Sequence, residues 1–165
     1  MWSRPPFALF VVVGVSTDVI NKILEEAFRG TQFSLNPFWL PSSDDYSDAP
    51  KKGPVGGEAV EGAKPPVPSS YKSPFTGNSA EDVAGWVRYK PKDVELDIHF
   101  FAVLDRSAER GKVVICSQGG DELRDMDVLE FLRLDAEVAA AEVCTAQPGT
   151  WEGVIASRGG VRVEY

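Results

Sequence analysis

The chain reads as an α/β domain at the border of α+β: one mixed sheet of four to five strands, about three helices packed on it, and a long Pro/Gly-rich insert. Three observations predict this. Phe7 to Val13 is a continuous apolar run that meets Gly14 and the polar group Ser16-Thr17-Asp18, and a helical apolar stripe begins at Val19. That order is a buried strand, a tight turn and a capped helix. Ile98 to Leu104 is a second run, apolar on both faces, followed after a polar turn by Lys112 to Cys116. Strands of this kind need cover on both faces, which helices supply. The length of 165 residues, with 43% hydrophobic and 25% charged residues, suits one domain spanning 1–165.

The elements follow in order. The first helix is expected over Asp18 to Arg29, with Val19, Ile20, Ile23, Leu24, Ala27 and Phe28 as its apolar stripe. Thr17 or Asp18 is the expected N-cap, and Gly30 is placed to end the helix. Phe33 to Leu40 alternates at first but is interrupted by Pro37, which predicts a short edge strand or extended segment.

Residues 41–78 differ in composition. Seven of the twelve prolines fall there, large aliphatic residues are scarce, and Gly53, Gly56, Gly57, Gly62 and Gly77 are interspersed. Such a segment buries little surface to offset its ordering entropy, which predicts a mobile, disordered insert looping out of the domain.

Ser79-Ala-Glu-Asp82 has the outline of a capping box, and Val83, Trp86 and Val87 line one face of a helix that stops before Pro91. Gly85 weakens that helix by about 1 kcal/mol relative to alanine. Residues 98–104 read as a central strand, 105–111 as a polar turn, and Lys112 to Cys116 as the antiparallel partner. Gly119-Gly120 and the acidic run Asp121 to Asp127 form a loop. Val128 to Leu134 is open between strand and helix. Its partial alternation favours a strand, with Phe131 out of phase. Asp135 then caps a helix running to about Ala146. Trp151 and Ile155 are expected to pin a final turn to the core, and Val161 to Tyr165 alternates like a terminal edge strand.

Charge and cysteine content narrow the function classes. The net charge is −8, and Lys51-Lys52 is the only adjacent basic pair, which argues against nucleic acid and anionic membrane surfaces as partners. No stretch approaches the roughly 20 apolar residues that span a bilayer. Met1 to Val13 has the outline of a signal peptide, but its apolar run is short and continues directly into a helical pattern. Cys116 and Cys144 lack Cys-x-x-Cys spacing, and His99 is the sole histidine, so a Cys/His metal site is not expected. Two buried thiols rather than a disulfide fit a cytoplasmic setting.

Each candidate for chemistry has a structural rival. Gly14-Val-Ser16-Thr-Asp18 sits where a nucleophile elbow would, but Asp18 replaces the required last glycine, so Ser16 and Thr17 read as turn and cap residues. The three-glycine dinucleotide fingerprint is also missing. Gly111-Lys112 precedes a strand instead of following one. His99 and Asp105 lie on one strand face, but six strand residues separate them by roughly 20 Å. Asp105 at a strand end is the better single candidate, against a turn-capping role over Arg106-Ser107. Asp121, Glu122, Asp125 and Asp127 fail the calcium-loop pattern at its sixth and twelfth positions, Met126 and Leu132. Pro65-Pro-Val-Pro68 has a spacing that SH3-type modules read. No cofactor or metal is expected.

The strand and helix of Leu9 to Phe28, Phe101 to Asp105 leading into Val113 to Ile115, and a late helix followed by Trp151-Glu152 together resemble an uncharacterised small α/β domain family of unknown function. The resemblance implies the fold and transfers no catalytic residue. The leading expectation is a non-catalytic binding or accessory module that meets a protein partner through the insert or the 121–127 loop. The alternative is a small carboxylate- or metal-dependent enzyme, with Asp18 and Asp105 at adjacent strand ends. A third treats the insert itself as a ligand for other proteins.

Overall fold

The computed structural model describes residues 6–30, 36–51, 66–118, 129–145 and 161–165. Its centre is a five-stranded mixed sheet of order β2-β1-β3-β4-β5. Strand β1 (Phe7–Val11) runs parallel to β2 (Phe38–Trp39) and to β3 (Phe100–Leu104). Strands β3, β4 (Lys112–Gln118) and β5 (Leu129–Asp135) form an antiparallel meander.

Every residue of β1 and β3 is buried, because each alternate side chain meets a different helix layer. Phe7, Leu9 and Val11 face α1 (Thr17–Arg29) and α3 (Ala136–Thr145). Ala8 and Phe10 face α2 (Ala80–Arg88). The α/β class and the mixed sheet with three helices are as the sequence predicts.

The N-cap of α1 is Ser16, one or two residues before the expected Thr17 or Asp18. Ser16 has extended backbone, and its Oγ accepts a hydrogen bond from Val19 N at 3.3 Å. Gly30 ends α1 for a reason of space. Its φ of −75° is open to any residue, but a Cβ there would stand 1.6 Å from the carbonyl oxygen of Glu137 at the start of α3. The helix α3 presents Ala136, Ala139 and Ala140 to the core, and these small side chains keep the α1–α3 layer thin.

Pro37 precedes β2 instead of dividing it. Its carbonyl accepts from Phe7 N at 2.8 Å, so the interruption serves as the first rung of the ladder.

Residues 41–51 and 66–78 of the Pro/Gly-rich stretch lie against the body through aromatic rings and side-chain bonds to backbone. The Tyr46 ring stacks on Trp86 with centroids 3.8 Å apart, and Trp86 Nε1 donates to Asp44 O at 2.8 Å. Phe75 is buried edge-on against Phe10 and Trp86. Ser73 Oγ donates to Val11 O at 2.6 Å, Tyr71 Oη to Pro41 O at 2.9 Å, and Asn21 exchanges two hydrogen bonds with the backbone of Val67. Residues 52–65 lie outside the described residues.

The capping box of α2 is complete. Ser79 Oγ accepts from Asp82 N, and the Asp82 carboxylate accepts from Ser79 N. The segment read as open between strand and helix is a strand over Leu129–Asp135, paired along seven register positions with β4. Phe131 is out of phase with Leu132 and Leu134, as the sequence predicts, because it points to the opposite face. Leu132 and Leu134 face α1 and α3, while Leu129 and Phe131 face α2, so the segment has two apolar faces. Cys116 and Cys144 are buried and form no disulfide, in the α2 layer and the α1–α3 layer respectively.

Residues 161–165 do not form the expected edge strand. Their backbone groups bond to Asp105, Arg106 and Arg133, and side-chain partners take the place of a ladder. The acidic 121–127 run, Trp151 and Ile155 lie outside the described residues.

Candidate functional site

The strand order places a topological switch at β1 and β3. The chain leaves β1 through α1 on one face to reach β2, and returns through α2 on the other face to reach β3. The connections after β1 and β3 therefore diverge, and open sheets form ligand crevices at such points. Two recesses flank this edge. One, of about 350 Å³, is lined by Val13, Gly14, Ile20, Lys72, Ser73 and Thr76 among others. The other, of about 410 Å³, is lined by Val12, Val13, Gly77, Asn78, Ser79 and Tyr165 among others. Their walls are the β1–α1 turn, the returning insert and the 161–165 segment. The insert residue Lys72 is exposed at the rim of the first recess.

Asp105 follows β3 directly and is fully buried. Its Oδ1 accepts from Ser107 N at 2.9 Å and from Ser107 Oγ. Its Oδ2 accepts from Arg133 Nη2 at 2.9 Å and from Glu164 N at 2.8 Å. A carboxylate has about four lone-pair positions, so these donors occupy its acceptor capacity. Burial opposes its charge, and the bonds from Glu164 N, Ser107 and Arg133 outweigh burial, which holds the carboxyl below the ordinary 3.8.

Asp18 is exposed in the first turn of α1. Both carboxylates thus follow the C-terminal ends of neighbouring parallel strands. However, Asp105 continues the phase of Phe101 and Val103 on the α2 side, while Asp18 belongs to a helix on the other side. Among the described residues, no three His, Cys, Asp or Glu side chains are grouped as a metal site requires. His99 stands at the opposite end of β3 from Asp105, with Nδ1 3.3 Å from Gln118 O. Gln118 is buried at that end, and its Nε2 donates to Ala84 O and Ile98 O. The Cys116 thiol is pushed well above its ordinary range by burial, then by the charges of Asp105 and Glu81.

A third recess, about 500 Å³, is charged throughout. It lies between α1, the 3-10 turn Arg106–Arg110 and the start of α3, and Lys22, Arg29, Glu109 and Glu137 are in its wall. The Lys22–Glu26 pair spans 4.0 Å at its edge.

Sequence reasoning missed Arg133, Glu164 and Tyr165. Arg133 joins Asp105, Ser107 Oγ at 3.0 Å and Arg162 O at 2.7 Å. A signal for it was present: an arginine in a strand with two apolar faces needs an anionic partner within the domain. Glu164 and Tyr165 carried no comparable signal, because their partners Asp105 and Ala80 are distant in sequence. No helix among the described residues is long and apolar enough to cross a membrane. No family model, curated protein or solved structure matches the chain.

Proposed function

We propose that the chain is a binding module without chemistry of its own, and that its partner, a protein, meets the switch-point edge beside the returning insert. The observation that carries this reading is Asp105. The one buried carboxylate at that edge among the described residues is engaged by four donors of its own chain, three of them from Ser107 and Arg133, so it acts as an internal fastener and not as an acid, base or metal ligand. The recesses beside it are lined mainly by apolar side chains and backbone, with Lys72 at the rim, which is the composition of a docking surface. The net charge of −8 speaks against nucleic acid, and two buried cysteines that form no disulfide fit a cytoplasmic setting.

A photo-cross-linker placed at Lys72 tests this, with a second at Tyr89 as the control. Tyr89 is 78% exposed at the far end of α2. A discrete cross-linked protein from position 72 alone is the expected result, and equal labelling from both positions overturns it. The carboxylate-enzyme alternative requires Asp105 to turn from Ser107 and Arg133 to a substrate or metal. Saturable magnesium or manganese binding that is lost in Asp18→Asn would establish that alternative instead.

A further inference from the structure

We propose that Asp105, Arg106, Arg110, Arg133 and the first turn of α2 form a recognition site for an extended peptide with an acidic residue followed by a tyrosine, and that residues 161–165 are its occupant in cis. The inference rests on the reading of the chain as a binding module and concerns the Asp105 side of the same edge, where Tyr165 lines the second recess, away from the Lys72 rim.

The contacts have the character of peptide recognition. Residue 164 is read through both of its backbone groups: Glu164 N donates to Asp105 Oδ2 at 2.8 Å, and Arg106 N donates to Glu164 O at 3.0 Å. Two residues back, Arg133 Nη2 donates to Arg162 O at 2.7 Å. A row of backbone bonds at alternate residues is how an added strand is held, here with side chains supplying part of the edge. Val163 packs into the α2 layer between these anchors.

Two further contacts select side chains. Arg110 Nη2 reaches both Glu164 carboxylate oxygens, at 3.0 and 3.3 Å, which selects an acid at this position. Tyr165 Oη accepts from Ala80 N at 2.8 Å, which selects a hydroxyl at the next. The receptor side is organised without the segment. Asp105 is anchored by Ser107, Arg133 Nε bonds Ser107 Oγ, and α2 carries its own Ser79–Asp82 cap. The occupant is held at its edge by exposed groups: Arg110 is 59% and Glu164 41% exposed, so that pair contributes little to retention. A site built in this way exchanges its cis occupant for the same sequence in trans.

The test uses the full chain and a fluorescent blocked peptide of sequence Gly-Val-Arg-Val-Glu-Tyr, read by anisotropy. The wild-type chain is expected to bind it weakly. Glu164→Arg, which sets two arginines against each other in cis, is expected to bind it about threefold to fivefold more tightly. A peptide with Glu replaced by Arg is expected to bind both chains more weakly by a similar factor, and Arg110→Glu is expected to reverse that preference. Equal affinity of wild type and Glu164→Arg, or equal binding of a scrambled peptide, overturns the proposal. Should Glu164→Arg fail to fold, amide exchange on the wild-type chain decides. Exchange of Glu164 and Arg106 amides by local opening, faster than Val103, supports an exchangeable occupant, and exchange only through global unfolding overturns it. Peptide binding without cross-linking at position 72 would leave this site standing and remove the other surface.

Discussion

Replacing Asp105 with alanine removes the acceptor for four donors at once, and its cost follows from what each donor retains. Arg133 loses its only ion pair among the described residues and is left with a side chain 17% exposed. Removing one partner of a buried ion pair costs about 3–5 kcal/mol. The lower end applies here, because Arg133 keeps its bonds to Ser107 Oγ and Arg162 O and has some access to water. The expected loss is therefore about 3 kcal/mol, which for a chain of this size lowers Tm by roughly 6–12 °C. Urea unfolding and calorimetry at pH 7 measure it.

The pH dependence gives an independent check. The folded carboxyl titrates below its ordinary value, so its contribution is complete above the unfolded pKa near 4 and is lost as pH falls through the folded pKa. The gap between wild type and Asp105→Ala should then be constant from pH 5 to 7 and close progressively below about pH 4. The double variant Asp105→Ala/Arg133→Met should recover part of the loss, since no cation is then stranded. A loss under about 1 kcal/mol at pH 7, or a gap that does not narrow in acid, would refute the account of Asp105 as a buried fastener.

Two further outcomes concern packing and alkaline stability. Gly30→Ala is ordinarily mild at a regular φ, but here it forces α1 and α3 apart, because Glu137 backbone blocks the new methyl. It should cost about 1–3 kcal/mol, and a variant as stable as wild type in urea would show that the two helices separate freely. Tyr46 and Tyr71 are both pushed up to about 12 by burial. A raised folded pKa gives stability that is complete below the ordinary value near 10 and lost as pH rises through 12. Absorbance titration at 295 nm should leave these two phenols unionised at pH 11 and ionise them near pH 10 in denaturant. Ionisation near 10 with the fold intact would contradict their buried placement.

Much of the fold was legible because its signals are local. The apolar run before Gly14, the Ser79–Asp82 capping box and the two-faced strand at 100–104 each depend on residues within a few positions of one another. The antiparallel pairing of β4 with β3 followed from the polar turn between them. What escaped is long-range or aromatic. Tyr46 and Trp86 lie 40 residues apart, and aliphatic content alone does not reveal that a ring stack fastens a proline-rich segment. Asp105 was identified as a strand-end candidate, but its occupation by Arg133 and Glu164 depends on β5 and on 161–165 converging over β3. Asp18 lies at the same sheet edge as Asp105, while α1 carries it to the other side of the sheet.

The position of β1 in the sheet has a consequence for assembly. Strand β1 inserts between β2, which offers two register pairs, and β3, which offers three. During synthesis at ~5–20 residues per second, β3 follows β1 by roughly 5–20 s. For that interval the wholly apolar Phe7–Val11 has only α1 and the two-residue β2 as partners, whereas β3, β4 and β5 lie close enough along the chain to pair soon after they emerge. The slot that receives β1 is thus completed after the strand itself is made, so the newborn chain is exposed to misassociation at its first strand. Pulse-labelled hydrogen exchange during refolding reads this order directly, as protection of β4 and β5 amides before those of β1.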